Sequence, residues 1–407
     1  MHFSPASKAS GVFISASLMT ATQCIPTAAR PFGADAAIRV DVVDDLTPFT
    51  NLRSEWNQLL ANSQADCLFL TWEWLHTWWK HLGNGRRLFV ITVRRGDQLI
   101  ALAPLAIRRT WPARISIVEF LGTGSVGSDY LDFIIHRAFE PAALDAVIRF
   151  LDRTGLTLRL PSVKEDSNVA SLAVPILADL GWSVRVTPMQ VCPFIDFAGG
   201  TFDGYLASIG SSNRYNFRRR LRNLQKLHEV RFDHASSDEE RRRALQHVID
   251  LHLGRWAERG GSDAFHETGL ITFHHEFSAL AHERGWLRLR VLKVDGKTVG
   301  AFYGFRYADK YSFYQSGFDQ AFSRHSVGLV TLGLTIKEAI DEGAAEYDFL
   351  HGDESYKFLW TREVRPLFRY DLYPSGVLGR LQRDSAAAVA ITKKVIKRAL
   401  QLQRSNR

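Results

Sequence analysis

The stretch YDFLHGDESYKFLW, residues 347–360, sets His351, Asp353, Glu354, Tyr356 and Lys357 within seven positions. These residue types take up and release protons and hold charge of either sign. The preceding EYDFL alternates in polarity, which predicts a strand with Tyr347 and Phe349 on one face and Asp348 and Leu350 on the other. Gly352 permits a sharp exit from that strand. The strand end therefore delivers a cluster of polar groups to one place. A purely structural network satisfies the same residues, with Asp353 or Glu354 capping a helix start and Lys357 paired to one of them.

Two other segments carry chemistry. SSNRYNFRRRLRNLQKL, from Ser211, holds Arg214, Arg218, Arg219, Arg220, Arg222 and Lys226, with no acid between Asp203 and Glu229. Ser211 or Ser212 is a candidate N-cap. Phe217, Leu221 and Leu224 form an inward stripe, so the cations occupy the remaining faces. Such a run is either a solvated face or a holder of anions, and its self-repulsion favours the anion. In RHSVGLVTLGLTIKEAIDEG, Gly328 stands where a loop becomes a helix. There a backbone can approach an anion closely and present unpaired N–H groups to it.

The elements that must position these groups repeat along the chain. LFVITVRRGDQLIALAPLAIRR from Leu88 and LRLRVLKVDGKTVGAFYGFRYA from Leu287 each read as strand, tight turn and strand. Each follows an aromatic helical segment, with stripes at Trp74, Trp78 and Leu82 and at Phe273, Phe277 and Leu280. A further strand comes after each hairpin. The chain thus reads as two copies of one α/β unit, at 38–192 and 193–375, after a disordered leader at 1–37. A basic amphipathic helix follows at 376–407, with Val389, Val395, Ile396 and Leu400 opposite Lys393, Lys394, Lys397 and Arg398. That helix either packs on the domain or meets anionic lipid.

Composition sets the outer bounds. The chain has 407 residues, 46% of them apolar and 23% charged, which is globular, and a length of two domains. A net charge of +8 favours anionic partners without choosing among nucleotide, nucleic acid, acidic glycan and membrane surface. Cys24, Cys67 and Cys192 form no metal ladder and no disulfide framework, which suits a reducing cytoplasm and no bound metal. No apolar run reaches the length of a membrane span.

The words SSNRYNFRRRLRNL, HSVGL after a GFD turn, and YDFLHGDESYKFLW resemble the GNAT acyl-CoA N-acyltransferase fold, in its tandem CelD-like and FemAB-like branch. The resemblance covers 38–375. It implies an α/β (α+β) chain of two tandem GNAT-like domains, each a mixed, mostly antiparallel sheet flanked by helices, with the first a degenerate copy. It also implies that two strands splay apart, that the acyl thioester enters the gap, and that its pyrophosphate rests on His325, Ser326, Val327, Gly328 and Leu329. Here the sequence departs from the R/Q-x-x-G-x-G/A pattern, with His325 in place of Arg or Gln and Val330 in place of the second Gly or Ala.

On that resemblance the expected activity is transfer of an acyl group, acetyl first, from acyl-CoA to an amine. The acceptor is a small molecule or a glycan of exopolysaccharide or cell-envelope synthesis. His351, or Asp348 through a water, is the candidate base and Tyr356 the candidate acid. Arg214, Arg218, Tyr303, Tyr314, Gln315, Asp353, Glu354 and Lys357 are candidate acceptor contacts. The loop GTGSVGSDYLDF of the first copy is expected to shape the acceptor cleft between the copies. Aminoacyl transfer from tRNA, with the Arg helix on RNA, is the alternative within the fold. A non-catalytic module for an anionic polymer or membrane surface is the alternative outside it.

Overall fold

The computed structural model describes residues 37–110, 115–257 and 267–385. The expected leader, apart from Ala37, and the basic stretch 386–407 lie outside the described residues.

The first half runs β1 (Ile38–Val43), α1 (Leu46–Asn51), α2 (Arg53–Ala61), α3 (Trp72–Leu82), β2 (Arg86–Leu88), β3 (Val90–Arg95), β4 (Gln98–Ala103), β5 (Leu105–Arg109), β6 (Ser116–Phe120), β7 (Ile134–Ile135), α4 (Glu140–Thr154), β8 (Thr157–Lys164), α5 (Val174–Asp179) and β9 (Ser183–Asp196). The second half runs α6 (Phe202–Ser208), α7 (Ser211–Leu227), β10 (Val230–His234), α8 (Asp238–Ala257), α9 (Thr268–Glu283), β11 (Leu287–Val294), β12 (Lys297–Tyr307), β13 (Lys310–Phe318), α10 (Val327–Asp341), β14 (Glu346–Asp348) and β15 (Val364–Tyr373). Both hairpins read from the sequence are present, with Gly96 and Gly296 at positive φ in their turns.

One sheet has four strands in the order β1-β3-β4-β7. The other has eleven, in the order β10-β11-β12-β13-β14-β9-β15-β8-β6-β5-β2. The large sheet joins the halves by exchange. β9 pairs with β14 through Phe194–Asp196 and with β15 along the rest of its length, and β15 in turn pairs with β8 of the first half. The position 192/193, where the sequence suggests one copy ends, falls inside the continuous strand β9.

The core follows the predicted stripes. Trp74 and Trp78 of α3 are buried, as are Phe273 and Phe277 of α9. Trp74 meets Phe273 and Phe277 edge-on with centroids 4.9 and 4.7 Å apart, and its indole N–H donates to Ser128 Oγ at 2.8 Å. A buried ring with its N–H satisfied keeps its apolar area from water without leaving a donor unpaired. Lys80 and His81 of α3 both reach Glu276 of α9, at 2.8 and 2.7 Å. Among the described residues, no helix is long and apolar enough to cross a membrane.

Candidate active site

The site forms where β13 and β14 part. The two strands pair in parallel from Lys310↔Glu346 to Ser312↔Asp348, and there the pairing ends. β13 continues to Phe318 while the chain after Asp348 turns away. At the parting, β13 carries a bulge, because Tyr303 lies opposite Gln315 and Gly304 opposite Phe313, leaving Tyr314 as the extra residue. A bulge takes one backbone group out of the ladder and re-aims its neighbours.

A cleft of about 360 Å³ opens from this gap, lined by Phe313 and Ser316 of β13, by Ser326, Gly328 and Leu329 at the start of α10, and by Tyr356 and Trp360. Ser326 caps α10 from the left-handed region, at φ 56, without a side-chain hydrogen bond, and the first turn holds no acid. The first turn of α10 thus has neither a side-chain cap nor an acid on its N–H groups, as an anion site requires. At Gly328 a Cβ would lie 3.0 Å from the ring of Phe318, so a side chain here presses on the cleft wall. Val327 points away into the core. His325 lines neither the cleft nor the hollow beside it, and is held below its usual pKa by desolvation and by the nearby Arg324 and Arg220.

β14 alternates as its sequence predicts. Tyr347 and Phe349 face α10, where Tyr347 Oη and Thr335 Oγ1 share a hydrogen bond of 2.8 Å. Asp348 and Leu350 face the first half. The Tyr130 hydroxyl donates to Asp348 Oδ2 at 2.7 Å, and Leu350 N–H donates to Oδ1 at 2.8 Å. Burial pushes the Asp348 carboxyl up to about 6, against the pull of the Tyr130 hydroxyl.

His351 is held by the other half of the chain. Its backbone N–H donates to Asp129 Oδ2 at 2.9 Å, and its ring Nδ1 lies 2.9 Å from both Asp129 oxygens. Asp129 is 1% exposed, whereas the His351 side chain is 36% exposed. The Asp129 charge raises the His351 pKa above its ordinary value, with burial opposing. Gly127 makes room for the ring, since a Cβ there would come within 2.9 Å of His351 Cε1. Nδ1 engaged by a buried carboxylate leaves Nε2 as the free working nitrogen of the imidazole, a fixed tautomer once the ring is neutral.

The rest of the opening stretch is structural in part. Lys357 is buried and donates to the carbonyls of His351 at 2.7 Å and Leu350 at 3.3 Å, with Glu354 3.0 Å away. It closes the turn that Gly352, at φ 123, makes possible. Asp353 is exposed.

Several other candidate acceptor contacts are engaged within the protein. Tyr303 is fully buried among His274, Phe305 and Tyr314, because β12 runs through the core at that point. The Tyr314 hydroxyl donates to the Val126 carbonyl at 2.6 Å, and Gln315 Oε1 accepts from Ser316 N–H. On α7, Arg214 reaches the carbonyls of Leu206 and Ala207, while Arg218 pairs with Asp203 at 2.7 Å. The N-cap of α7 is Gly210, without a side-chain bond, so Ser211 and Ser212 are helical rather than capping. Arg220 lies nearer the cleft. It donates to the Arg324 carbonyl at 3.0 Å and lines, with Asn213 and Asn216, a hollow that shares Ser326 and Leu329 with the cleft.

The sequence singles out neither Asp129 nor Tyr130, only the loop that carries them. Their signal was the loop GTGSVGSDYLDF, which follows β6 as the glycine loop follows β13. Among the described residues, no group of His, Cys, Asp and Glu is placed to hold a metal ion.

Residues 211–358 match the family model of the acetyltransferase (GNAT) domain. No curated protein matches the chain. Among solved structures, FemX is 13% identical with a TM-score of 0.58, over 78% of this chain and 95% of FemX. A conserved protein of unknown function from Bacteroides thetaiotaomicron is 12% identical, with a TM-score of 0.52 over 82% of this chain and all of that one. L-PGS from Bacillus licheniformis is 13% identical, with a TM-score of 0.50 over 85% of this chain and 96% of that one. At such identities these likenesses speak for the fold, and the family match speaks for the chemistry. Residues 211–358 thus match the GNAT acetyltransferase domain, and the chain as a whole shares the fold of FemX.

Proposed function

We propose that the protein transfers an acyl group, acetyl in the first instance, from acyl-CoA to an amine, and that both halves of the chain build the site. One observation carries this reading. The cleft opens on the α10 side of the β13–β14 parting, and the His351–Asp129 pair stands on the first-half side of the same strand end. A thioester entering from one side meets an amine entering from the other.

In this reading the α10 N-terminus and the Arg220 hollow take the phosphates, and the pantetheine arm lies between Phe313 and Leu329. His351 Nε2 takes a proton from the acceptor ammonium. The freed amine attacks the thioester carbonyl and forms a tetrahedral oxyanion. Backbone N–H groups released at the Tyr314 bulge are placed to hold it. As the carbon–sulfur bond breaks, the thiolate leaves and takes a proton from Tyr356, and the second proton shed by the attacking nitrogen restores the phenol. Asp129 keeps His351 in one tautomer and stabilises the imidazolium. The proposed setting is the reducing cytoplasm, where Cys67 and Cys192 are free thiols, and the proposed acceptor is an amino sugar or glycan precursor.

The test is a calorimetric titration with CoA, acetyl-CoA and longer acyl-CoAs. Saturable binding that is lost in Gly328→Trp is the expected result, and no binding of any of them defeats the donor assignment. One observation favours a second donor. Arg222 and Lys226 of α7 are exposed and make no ion pair with a described residue, as a site for charged tRNA would need. RNA affinity that falls steeply and log-linearly with salt would move the assignment to an aminoacyl-tRNA-dependent transfer.

A further inference from the structure

A separate cavity of about 130 Å³ lies between the halves, beyond the Tyr130–Asp348 hydrogen bond from His351. Its walls hold two buried carboxylates and several less buried cations. Asp348 and Asp132 are 2% and 4% exposed. Lys164, Lys310 and Arg365 line it as well.

The carboxylates are only half used. An ionised carboxylate accepts at about four positions. Asp132 takes two backbone N–H groups, from Asn168 at 2.7 Å and Val169 at 2.8 Å, and pairs with no cation among the described residues. Asp348 takes one hydroxyl and one N–H, and its nearest cation, Arg365, stands 3.9 Å away. Burial without a counter-ion pushes Asp132 up to about 7. On the cationic side, the Lys164 ammonium lies 3.3 Å from Asp166, an exposed and weakly held partner. The backbone is also strained here, since Tyr130 has φ 60, a conformation that a bulky side chain rarely adopts. Such strain persists where the surroundings demand one placement of the side chain.

A cavity lined both by carboxylates with unspent acceptor positions and by ammonium groups matches in charge the two ends of a small zwitterion. We propose that this cavity binds an α-amino acid, its ammonium on Asp132 and Asp348 and its carboxylate towards Lys164 and Lys310. The site is distinct from the acyl cleft but shares Asp348 with the strand that carries His351, so occupancy is positioned to be felt there.

The test titrates the full chain calorimetrically with each common L-amino acid, up to about 10 mM, which detects even millimolar affinity. Any that binds is repeated as its N-acetyl derivative and against Asp348→Asn and Lys164→Ala. The expected result is saturable binding by at least one amino acid, no binding of its N-acetyl form, and at least a tenfold loss of affinity in either variant. Lys164 is partly exposed, so its replacement leaves a folded protein should Asp348→Asn fail to give one. No binding of any amino acid, binding of the N-acetyl form, or binding that survives both substitutions overturns the proposal. Titration of Gly328→Trp separates this site from the donor cleft, because amino-acid binding persists there whatever becomes of acyl-CoA.

Discussion

The two halves begin the same way and end differently. In each, a strand pairs in parallel with a partner across a helix: β6 with β8 over α4, and β13 with β14 over α10. The helix starts diverge. α4 opens with Glu140 and has Pro in its first turn, which occupies the positive end of the helix. α10 opens on the unbonded Ser326 with no acid, and a cleft lies in front of it. The loops diverge too. The segment after β6 is longer and buries Leu121, Val126, Leu131 and Phe133, filling the place where the second half stays open. That same loop lends Asp129 and Tyr130 to the other half. One copy keeps the cleft, and the other supplies the Asp129 that holds His351 beside it.

Five substitutions test this contrast. His351→Ala should lower turnover by on the order of 10²–10⁴-fold, the usual worth of a positioned acid–base group. Glu165→Ala, at the matching exposed end of β8, should leave turnover unchanged in the same assay. Equal losses would mean that the halves are not functionally distinct. Trp74→Ala removes the ring that joins α3 to α9 and should cost about 3–5 kcal/mol. A single urea transition, shifted as a whole, shows that the halves fold as one unit, whereas two separated transitions would break the account of the seam.

Asp348→Asn probes the strand end by pH. The folded-state pKa of Asp348 is raised to about 6 from an unfolded value of 3.8. The native state therefore holds the extra proton between those values, and stability falls as pH rises through that window. The substitution should remove about 1–3 kcal/mol of that fall, read as urea midpoints at pH 4.5 and 6.5. Leu329→Glu is the smallest change. It places an acid in the first turn of α10, as Glu140 does in α4, and should raise the KM for acyl-CoA by about 2–5-fold, less at high salt.

Much of this architecture was legible in the sequence, because hairpin turns, amphipathic stripes and a glycine before a helix are local signals. The face assignment of Tyr347 to Leu350 and the turn at Gly352 came from such signals. What the sequence concealed is long-range. Tyr303 looked like a groove aromatic because alternation fixes which face a residue takes, not what covers that face. The partners of Arg214 are carbonyls at the end of α6, which no charge pattern reveals. The exchange of β9 and β15 between halves, and the meeting of Asp129 with His351 across 222 positions, depend on the assembled eleven-strand sheet.

The pairing of His351 with Asp129 is where the two halves become one site, and the imidazole pKa measured by NMR tests it directly. In the wild-type protein it should lie above 6.5, and in Asp129→Asn it should fall below the wild-type value, because burial then acts on the imidazolium without its counter-charge. The pH at which kcat/KM rises should move down with it. An imidazole pKa that is unchanged by the substitution would contradict the account.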